Sequence, residues 1–257
     1  MAKRIKKKKT TSPKKQTEKI YLQLILALFL LVALLAAYFY VRNKIQEARI
    51  EVAKEKVIRK IPFGFSSFGI DISHHQGAVD WEKLMKSEHY DTVIHFIYCK
   101  ATEGTDFLDP RWYQNRKELR KLKIPHGAYH YFRNSDPILQ AEHFLHHWTK
   151  RDGDLPPVLD VEYECINNPN LLQNMDIWLK IVEFETGMRP VIYTSLHMYQ
   201  TKFPDHFHDY KFWIAAYSRK PDCIKDERII HWQFTDRGEL PRMKRRVDMN
   251  VSKILIQ

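Results

Sequence analysis

Three consecutive segments decide the fold class of this chain: "PPVLDVE" (156–162), "LLQNMDIWLKIVEFETG" (171–187) and "RPVIYTS" (189–195). The first and third are short apolar runs bounded by turn residues, which is typical of strands, and the second places apolar residues on one helical face. Two strands joined through a helix form one unit of a parallel sheet, because parallel neighbours need a crossover connection. The pattern therefore predicts an α/β fold.

The same alternation extends in both directions from this unit. Upstream, three apolar runs precede helical patterns: "FGIDIS" (68–73) with "VDWEKLMKSE" (79–88), "TVIHFIYCKA" (92–101) with "PRWYQNRKELRKLK" (110–123), and "PHGAYHYF" (125–132) with "DPILQAEHFLHHWTK" (136–150). Downstream, three runs follow with little helix between them: "FWIAAYS" (212–218), "RIIHWQFT" (228–235) and "RRVDMNV" (245–251). Eight strands with the last helices missing predict a β/α-barrel-like fold, an incomplete TIM barrel. An open doubly wound sheet is the alternative, although no glycine-rich phosphate loop follows the first strand.

The positive charge of the chain is concentrated before residue 61. The 257 residues carry a formal charge of +11, with nine Lys/Arg against one Glu in residues 1–19 and seven against three in residues 42–60. Residues 61–257 therefore sum to −1. Because a nucleic-acid-binding domain needs a basic patch of its own, the sequence predicts no nucleic-acid partner.

An apolar stretch from Ile20 to Val41 runs for 22 residues without a charge. At about 1.5 Å per residue this length crosses the hydrocarbon core of a bilayer. The basic cluster "KRIKKKK" (3–9) predicts a cytoplasmic N-terminus by the positive-inside rule. A cleaved signal peptide is the alternative, but its apolar region is normally about 7–15 residues and ends in a small-residue cleavage site. We expect a single-pass membrane protein whose C-terminal domain is periplasmic or extracellular.

Four regions follow from these patterns. Residues 1–19 are predicted to be a basic cytoplasmic tail, residues 20–41 a transmembrane anchor and residues 42–62 a helical spacer. Pro62 ends the helical pattern, because the residue before a proline is pushed away from helical backbone angles. The barrel domain is predicted for residues 63–257.

Acidic side chains cluster where the predicted strands end. In a β/α barrel, the chemistry is done at the C-terminal ends of the strands and in the loops that follow. The sequence places acids and aromatic residues at these positions: Asp71, Glu103, Asp160, Glu162, Asp248, Trp213, Tyr217 and Trp232, with Gln233 beside them. Paired carboxyl groups among aromatic rings suit glycosidic cleavage, in which one acid protonates the leaving oxygen and the rings stack on sugars.

Eight motifs in order resemble the family 25 glycoside hydrolases, which are lysozymes (N-acetylmuramidases) with a β/α-barrel-like fold. The motifs are "GIDISHHQGAVDW" (69–81), "KATEGTDFLDPRW" (100–112), "GAYHYF" (127–132), "PVLDVE" (157–162), "VIYTS" (191–195), "WIAAY" (213–217), "WQF" (232–234) and "VDMNV" (247–251). The resemblance covers nearly all of residues 65–251 and does not extend to the tail, anchor or spacer. It implies that the substrate is the β-1,4 bond between N-acetylmuramic acid and N-acetylglucosamine in peptidoglycan. Together with the predicted anchor, it suggests a membrane-anchored bacterial member of the family.

The resemblance also implies roles for individual residues. Glu162 matches the general acid, Asp160 matches a carboxylate that is either the nucleophile or the group that orients the substrate acetamide, and Asp71 matches the acid of the first-strand motif. Substrate-binding or supporting roles are expected for Glu103, Asp248, Tyr131, Tyr163, Tyr193, Trp213, Tyr217, Trp232 and Gln233. Glu164 is a third nearby acid that the pattern leaves without a role.

No metal or cofactor is expected for this chemistry. His143 and His147 share one helix face, but no HExxH signature or cysteine cluster accompanies them. The three cysteines are an odd number, so at most one disulfide can form within the chain, and a bond between Cys165 and Cys223 stays open. Cys99 is expected to be buried in its strand.

Two other functions remain as alternatives. A hydrolase of a chitin-like N-acetylated glycan would use the same acetamide chemistry. A catalytically inactive module that binds peptidoglycan would keep the fold without turnover, although Asp71, Asp160 and Glu162 are all intact. The sequence identifies no protein partner.

Overall fold

The computed structural model describes residues 13–58, 64–85, 94–217, 225–240, 243–254 and 256. The chain divides into two compact units, Met1–Arg59 and Lys60–Gln257. In the first unit, α1 (Pro13–Ile58) is one continuous helix. Its stretch Tyr21–Ala48 is long and apolar enough to cross a membrane by length and composition, and its side chains are exposed in the isolated chain. The predicted break at Pro62 lies outside the described residues.

The second unit is a closed eight-stranded barrel with one added edge strand. Its strands are β1 (Ser67–Ile72), β2 (Phe96–Glu103), β3 (Phe107–Leu108), β4 (His126–Tyr131), β5 (Val158–Val161), β6 (Val191–Ser195), β7 (Lys211–Ala215), β8 (Ile229–Gly238) and β9 (Val247–Ser252). They are hydrogen-bonded in the order β1-β9-β8-β7-β6-β5-β4-β2-β3, and a further pairing of β1 with β2 closes the barrel. The predicted β/α-barrel-like class is therefore confirmed.

Helices cover the outside of the first part of the barrel. They are α2 (Trp81–Met85), α3 (Trp112–Lys121), α4 (Pro137–His147), α5 (Leu171–Thr186) and α6 (Leu196–Lys202). The first turn of α4 is fixed by Asp136, whose side chain accepts hydrogen bonds from the backbone N–H groups of Ile138 and Leu139. The short α6 and the two-residue β3 were not predicted, because both are too short to show a period.

The last strand runs against the others. β9 pairs antiparallel with both β8 and β1, whereas the remaining neighbours in the barrel are parallel. The segment between Gly238 and Val247 is too short for a crossover helix, so β9 returns directly beside β8. The strand–helix alternation predicted a parallel sheet with crossover connections, and this strand is the exception. The start of β9 consequently lies at the same rim as the ends of the parallel strands.

Aromatic rings fill the lower part of the barrel, and two of them fit only because the residues facing them are glycines. A Cβ on Gly127 would lie 2.2 Å from the ring of Tyr98, and one on Gly69 would lie 2.5 Å from the ring of Phe96. Both rings are buried, and they pack with Trp213 in the barrel core. The glycines thus allow large rings beneath the mouth, where they form an apolar floor. Cys99, on the same strand β2 as both rings, is buried as expected.

Candidate active site

A cavity of about 260 Å³ opens at the mouth of the barrel. Nine of the twelve residues singled out from the sequence line it: Asp71, Tyr131, Asp160, Glu162, Tyr193, Trp213, Tyr217, Gln233 and Asp248. The barrel brings them together because β1 and the middle strands end at this rim and β9 begins there. The structure thus gathers most of the predicted site around one space.

Three of the predicted residues lie outside the cavity lining. Tyr163 is 69% exposed, because the chain leaves β5 at Val161 and enters a 3₁₀ turn at Tyr163–Cys165. The indole N–H of Trp232 donates to the carbonyl oxygen of Ala216, on the opposite strand face from Gln233. Glu103 pairs with two cationic side chains beside the cavity. The backbone of Glu164 lies in the same 3₁₀ turn as Tyr163.

Asp71 is held by a dense set of donors. It is 7% exposed, and its Oδ2 accepts hydrogen bonds of 2.8 Å from the amides of Gln233 and Asn250. Asp248 lies opposite Asp71 in the antiparallel register, and the two carboxyl groups are hydrogen-bonded to each other. Such a contact requires a proton between them, and two like charges this close cannot both be ionised. Asp71 and Asp248 therefore share one proton.

Burial sets the ionisation of this pair. Burial raises the pKa of Asp71, and the hydrogen bonds from Asn250 and Gln233 act in the opposite direction. Burial, followed by the neighbouring Asp71 carboxylate, raises the pKa of Asp248 to about 8. Asp248 is consequently the partner that keeps the proton at neutral pH, and it donates to Asp71.

The amides that hold Asp71 are themselves fixed by aromatic side chains. The hydroxyls of Tyr193 and Tyr217 donate to Oε1 of Gln233, at 2.8 and 2.5 Å. The indole N–H of Trp213 donates to Oδ1 of Asn250 at 2.9 Å. Because each amide oxygen is occupied, each amide nitrogen must face Asp71. The aromatic residues predicted to support the site therefore orient its donors.

Asp160 has a different environment from Asp71. It is 7% exposed, and its Oδ1 has no hydrogen-bond partner among the described residues. Burial, followed by the nearby Glu162 carboxyl, raises the pKa of Asp160 well above its usual value. Because no donor among the described residues reaches Oδ1, burial favours the protonated form of Asp160 in the free protein.

Glu162 follows the end of β5 and is partly exposed to the cavity. The hydroxyl of Tyr131 donates to its Oε2 over 3.4 Å, which is a weak contact. Burial raises the pKa of Glu162, while this hydroxyl and the nearby Lys100 and Arg133 act against the rise. On balance the pKa of Glu162 is raised, and this favours the protonated carboxyl that a general acid requires.

The sequence reasoning missed several residues of the cavity wall, notably Lys100, Tyr129 and Asp236. Lys100 is 8% exposed in an apolar strand, and a lone lysine in such a run is itself a signal, since a buried ammonium needs a partner. Tyr129 lies two residues before Tyr131 and shares its strand face. Asp236 lies in the long β8, beyond the predicted end of that strand.

The histidines form hydrogen bonds within the protein. Nδ1 of His74 lies 2.8 Å from Oδ2 of Asp109, and Nδ1 of His147 lies 2.8 Å from the hydroxyl of Tyr113. Within the described part of the chain, no group of three His, Cys, Asp or Glu side chains is placed to hold a metal ion. Cys165 is buried against the carbonyl oxygen of Phe132, while Cys223 lies outside the described residues.

Comparison with known proteins identifies the family. The sequence model of the family described as "Glycosyl hydrolases family 25" matches residues 70–243, which is more than half of the chain. The chain belongs to this family. It is therefore a glycoside hydrolase, and the resemblance read from its eight motifs is confirmed.

Individual relatives agree with this assignment. The uncharacterized protein YegX of Escherichia coli K12 is 36% identical over 196 residues, which cover 75% of this chain and 71% of YegX. Lysozyme M1 of Streptomyces globisporus is 27% identical over 203 residues, covering 71% of this chain and 66% of the relative. A solved family 25 glycosyl hydrolase from Bacillus anthracis aligns with a TM-score of 0.67 at 27% identity, over 75% of this chain and 91% of that one.

The buried acids predict a fall in thermal stability between pH 7 and pH 9. The folded protein keeps the Asp248 proton up to about pH 8, whereas an unfolded chain loses it near pH ~4. Stability therefore decreases as pH rises towards and through the folded pKa. Buried His130 and His231, whose pKa values are lowered to about 3, act in the opposite direction, but only below about pH 6.5.

Calorimetry of the full chain in detergent tests this expectation. A loss of about 1 kcal/mol, or roughly 2–4 °C in Tm, is expected from pH 7 to pH 9. Asp248→Asn, which has no proton to lose, should show a clearly smaller drop over the same interval. A wild-type Tm that stays constant across this interval would contradict the shared-proton arrangement.

Proposed function

We propose that this chain is an N-acetylmuramidase, which hydrolyses the β-1,4 bond between N-acetylmuramic acid and N-acetylglucosamine in bacterial peptidoglycan. The observation that carries the proposal is the pair Asp160 and Glu162, which share one cavity wall in a family 25 glycosyl hydrolase. The similarity to Lysozyme M1 supports peptidoglycan as the substrate class.

Glu162 is assigned as the general acid and, later, the general base. Its raised pKa favours the protonated carboxyl, whose proton can be given to the leaving glycosidic oxygen. After the leaving sugar departs, the resulting carboxylate can take a proton from the attacking water. The hydroxyl of Tyr131 lies within reach of the carboxylate during this interval.

Asp160 is assigned to the substrate acetamide. Its Oδ1 has no donor among the described residues, and the acetamide N–H of a bound sugar would supply one. The acetamide oxygen then attacks the anomeric carbon as the bond to the leaving oxygen breaks, and positive charge develops on the acetamide. This charge favours the carboxylate form of Asp160. Water opens the cyclic intermediate in a second displacement, so the configuration is retained.

Asp71 is assigned to electrostatic stabilisation. Two amides and the proton of Asp248 already occupy it, so it is poorly placed to transfer a proton itself. Its negative charge lies on the wall of the cavity in which the sugar ring becomes positive. Asp248 and Gln233 keep that charge in place, and Tyr193, Trp213 and Tyr217 complete the wall.

The localisation proposed for the chain follows from α1. Its stretch Tyr21–Ala48 contains all of the predicted anchor except Ile20, and a peptidoglycan hydrolase must reach the wall. We infer that residues 20–41 span the membrane, with residues 1–19 in the cytoplasm and residues 63–257 on the outer side as the catalytic domain. Residues 42–62 would then be the spacer that separates this domain from the bilayer.

The product of digestion tests the function. Peptidoglycan treated with the full chain in detergent should release fragments whose new reducing ends are N-acetylmuramic acid, as measured by mass spectrometry after borohydride reduction. Glu162→Gln should lower turnover by about 10²–10⁴-fold while binding to the wall is kept, because the amide cannot donate the required proton. Glu185→Gln, on an exposed face of α5, serves as the matched control and should keep wild-type turnover.

Other outcomes would select the alternatives. Cleavage of chitin chains with no release from peptidoglycan would indicate a different N-acetylated glycan. Binding without any new reducing ends would indicate an inactive wall-binding module. Near-normal rates in Glu162→Gln would show that the acid is another residue.

The acetamide route makes a second prediction. Peptidoglycan de-N-acetylated at the muramic acid should still bind but should be cleaved far more slowly, because the attacking oxygen has been removed. The comparison requires kcat and binding affinity on matched acetylated and de-N-acetylated glycans. Rapid cleavage of the modified glycan, or a covalent sugar trapped on Asp160, would instead identify Asp160 as the nucleophile.

The anchor makes a third prediction. With residues 20–41 in the bilayer, the mature protein should keep its N-terminal residues and resist extraction from membranes by high salt, yet dissolve in detergent. N-terminal sequencing and fractionation measure both properties. A soluble mature chain that begins near residue 40 would show instead that the segment is a cleaved signal peptide.

A further inference from the structure

A buried lysine and an arginine are joined by one glutamate beside the cavity. The ammonium of Lys100 is hydrogen-bonded to Oε2 of Glu103, and the side chain of Lys100 is only 9% exposed. Oε1 of Glu103 accepts from both Nε and Nη2 of Arg133, at 2.9 and 2.6 Å. Both oxygens of the carboxylate are therefore occupied by cations, although Glu103 does not line the cavity itself.

A strand irregularity makes this contact possible. Lys100 and Glu103 are three residues apart on β2, and a regular strand would point them to opposite faces. The register of β2 against β4 shifts between Lys100 and Thr102, which inserts one residue and restores both side chains to the same side. Bulges of this kind are frequent beside active sites, where they redirect a side chain.

The same two cations lie against the ring of Tyr131. The ammonium of Lys100 and the guanidinium of Arg133 are each 4.7 Å from the ring centroid. Tyr131 is the register partner of Glu103, and its hydroxyl donates to Glu162. Glu103 is thus connected to the carboxyl of Glu162 through Tyr131 and the two cations.

We propose that Glu103 is a positioning residue, which holds Lys100 and Arg133 on Tyr131 and away from the carboxyl of Glu162 so that Glu162 keeps its proton. The inference rests on the proposed role of Glu162 as the general acid. It gives Glu103 no contact with substrate and no proton to transfer.

Burial decides what happens to Lys100 when its partner is removed. Arg133 can turn to solvent, because its side chain is 39% exposed, whereas the ammonium of Lys100 has no such route. Lys100 lines the cavity together with Asp160 and Glu162, and its charge already lowers the pKa of both, so these two carboxyls are the partners to which it can turn. An ion pair there would favour the charged form of Glu162 and remove the acid.

Several other charged or titratable groups also interact with Glu162, and we expect none of them to move when the charge of Glu103 is removed. Asp160, two residues before Glu162, and Asp71 and Asp248, across the cavity, are coupled to it by charge, because a charged Glu162 raises the pKa of each of them. Among the described residues, the titratable groups that interact with Glu162 include Asp71, Lys100, Tyr131, Arg133, Asp160, Cys165, Tyr193 and Asp248. Only Lys100 and Arg133 are released when Glu103 is neutralised.

The pH dependence of kcat on peptidoglycan, measured with the full chain in detergent, tests the proposal. Glu103→Gln should move the alkaline limb of the profile down by about one pH unit, because a cation now stabilises the Glu162 carboxylate. Glu103→Asp, which keeps the charge, should restore much of the wild-type limb. The double variant Glu103→Gln with Lys100→Met should also restore it, because the displaced cation is gone.

A matched control is present on the other side of the barrel domain. Glu183 accepts from Nε of Arg189 at 2.8 Å and from the hydroxyl of Tyr210 at 3.0 Å, with Arg189 lying over the Tyr210 ring. This trio resembles that of Glu103, Arg133 and Tyr131 but does not touch the cavity. Glu183→Gln should therefore leave the pH profile unchanged.

The results separate this inference from the proposed function. A uniform loss of activity at all pH values in Glu103→Gln, with an unmoved alkaline limb, would overturn the positioning role and indicate a structural one. An unmoved limb in a fully active variant would overturn it as well, while muramic acid ends released by the wild type would leave the proposed function standing. A wild-type chain that releases no such ends would overturn both.

Discussion

Four largely buried carboxyl groups, those of Asp71, Asp160, Glu162 and Asp248, share one cavity at the mouth of a closed barrel with the exposed Asp236, and the surrounding structure follows from the cost of burying the four. A buried carboxylate is tolerated only where donors or protons compensate its charge. Asp71 receives two amide donors and the proton of Asp248. The antiparallel direction of β9 makes this possible, because Asp248 and Asn250 lie two residues apart and both face Asp71.

Asp160 and Glu162 receive far fewer hydrogen-bond donors than Asp71. This contrast distinguishes the acid that is held in place from the acids that are available to a substrate. Oδ1 of Asp160 has no partner among the described residues, and Glu162 has only a long contact with the hydroxyl of Tyr131. An unpaired buried oxygen destabilises the free protein by about 1–3 kcal/mol. Such a defect is expected where a ligand supplies the missing donor, so the weakly compensated acids are the ones assigned to the substrate.

The sequence predicted the number and order of the barrel strands because buried strands show as short apolar runs. It did not predict the direction of β9, since an apolar run looks the same in either direction and only the short segment before Val247 requires a return beside β8. The placement of Trp232 and Gln233 together in the site ignored strand alternation, which turns only one of them inward. Lys100 was missed because its pairing with Glu103 depends on a bulge that no local pattern reveals.

Strand order divides the cavity into two halves with different electrostatics. β1, β9 and β8 are neighbours, and they supply an amide-rich half in which charge is fixed on Asp71. β2, β4 and β5 are also neighbours, and their register aligns Glu103 with Tyr131 and Tyr131 with Asp160. In this half Glu103 holds the cations beside Glu162, the acid for which we propose a protonated state. The charged and the protonated carboxyl groups are surrounded by side chains from different sets of adjacent strands. A barrel closed by one reversed strand can therefore keep one carboxyl group charged and another protonated within the same small space.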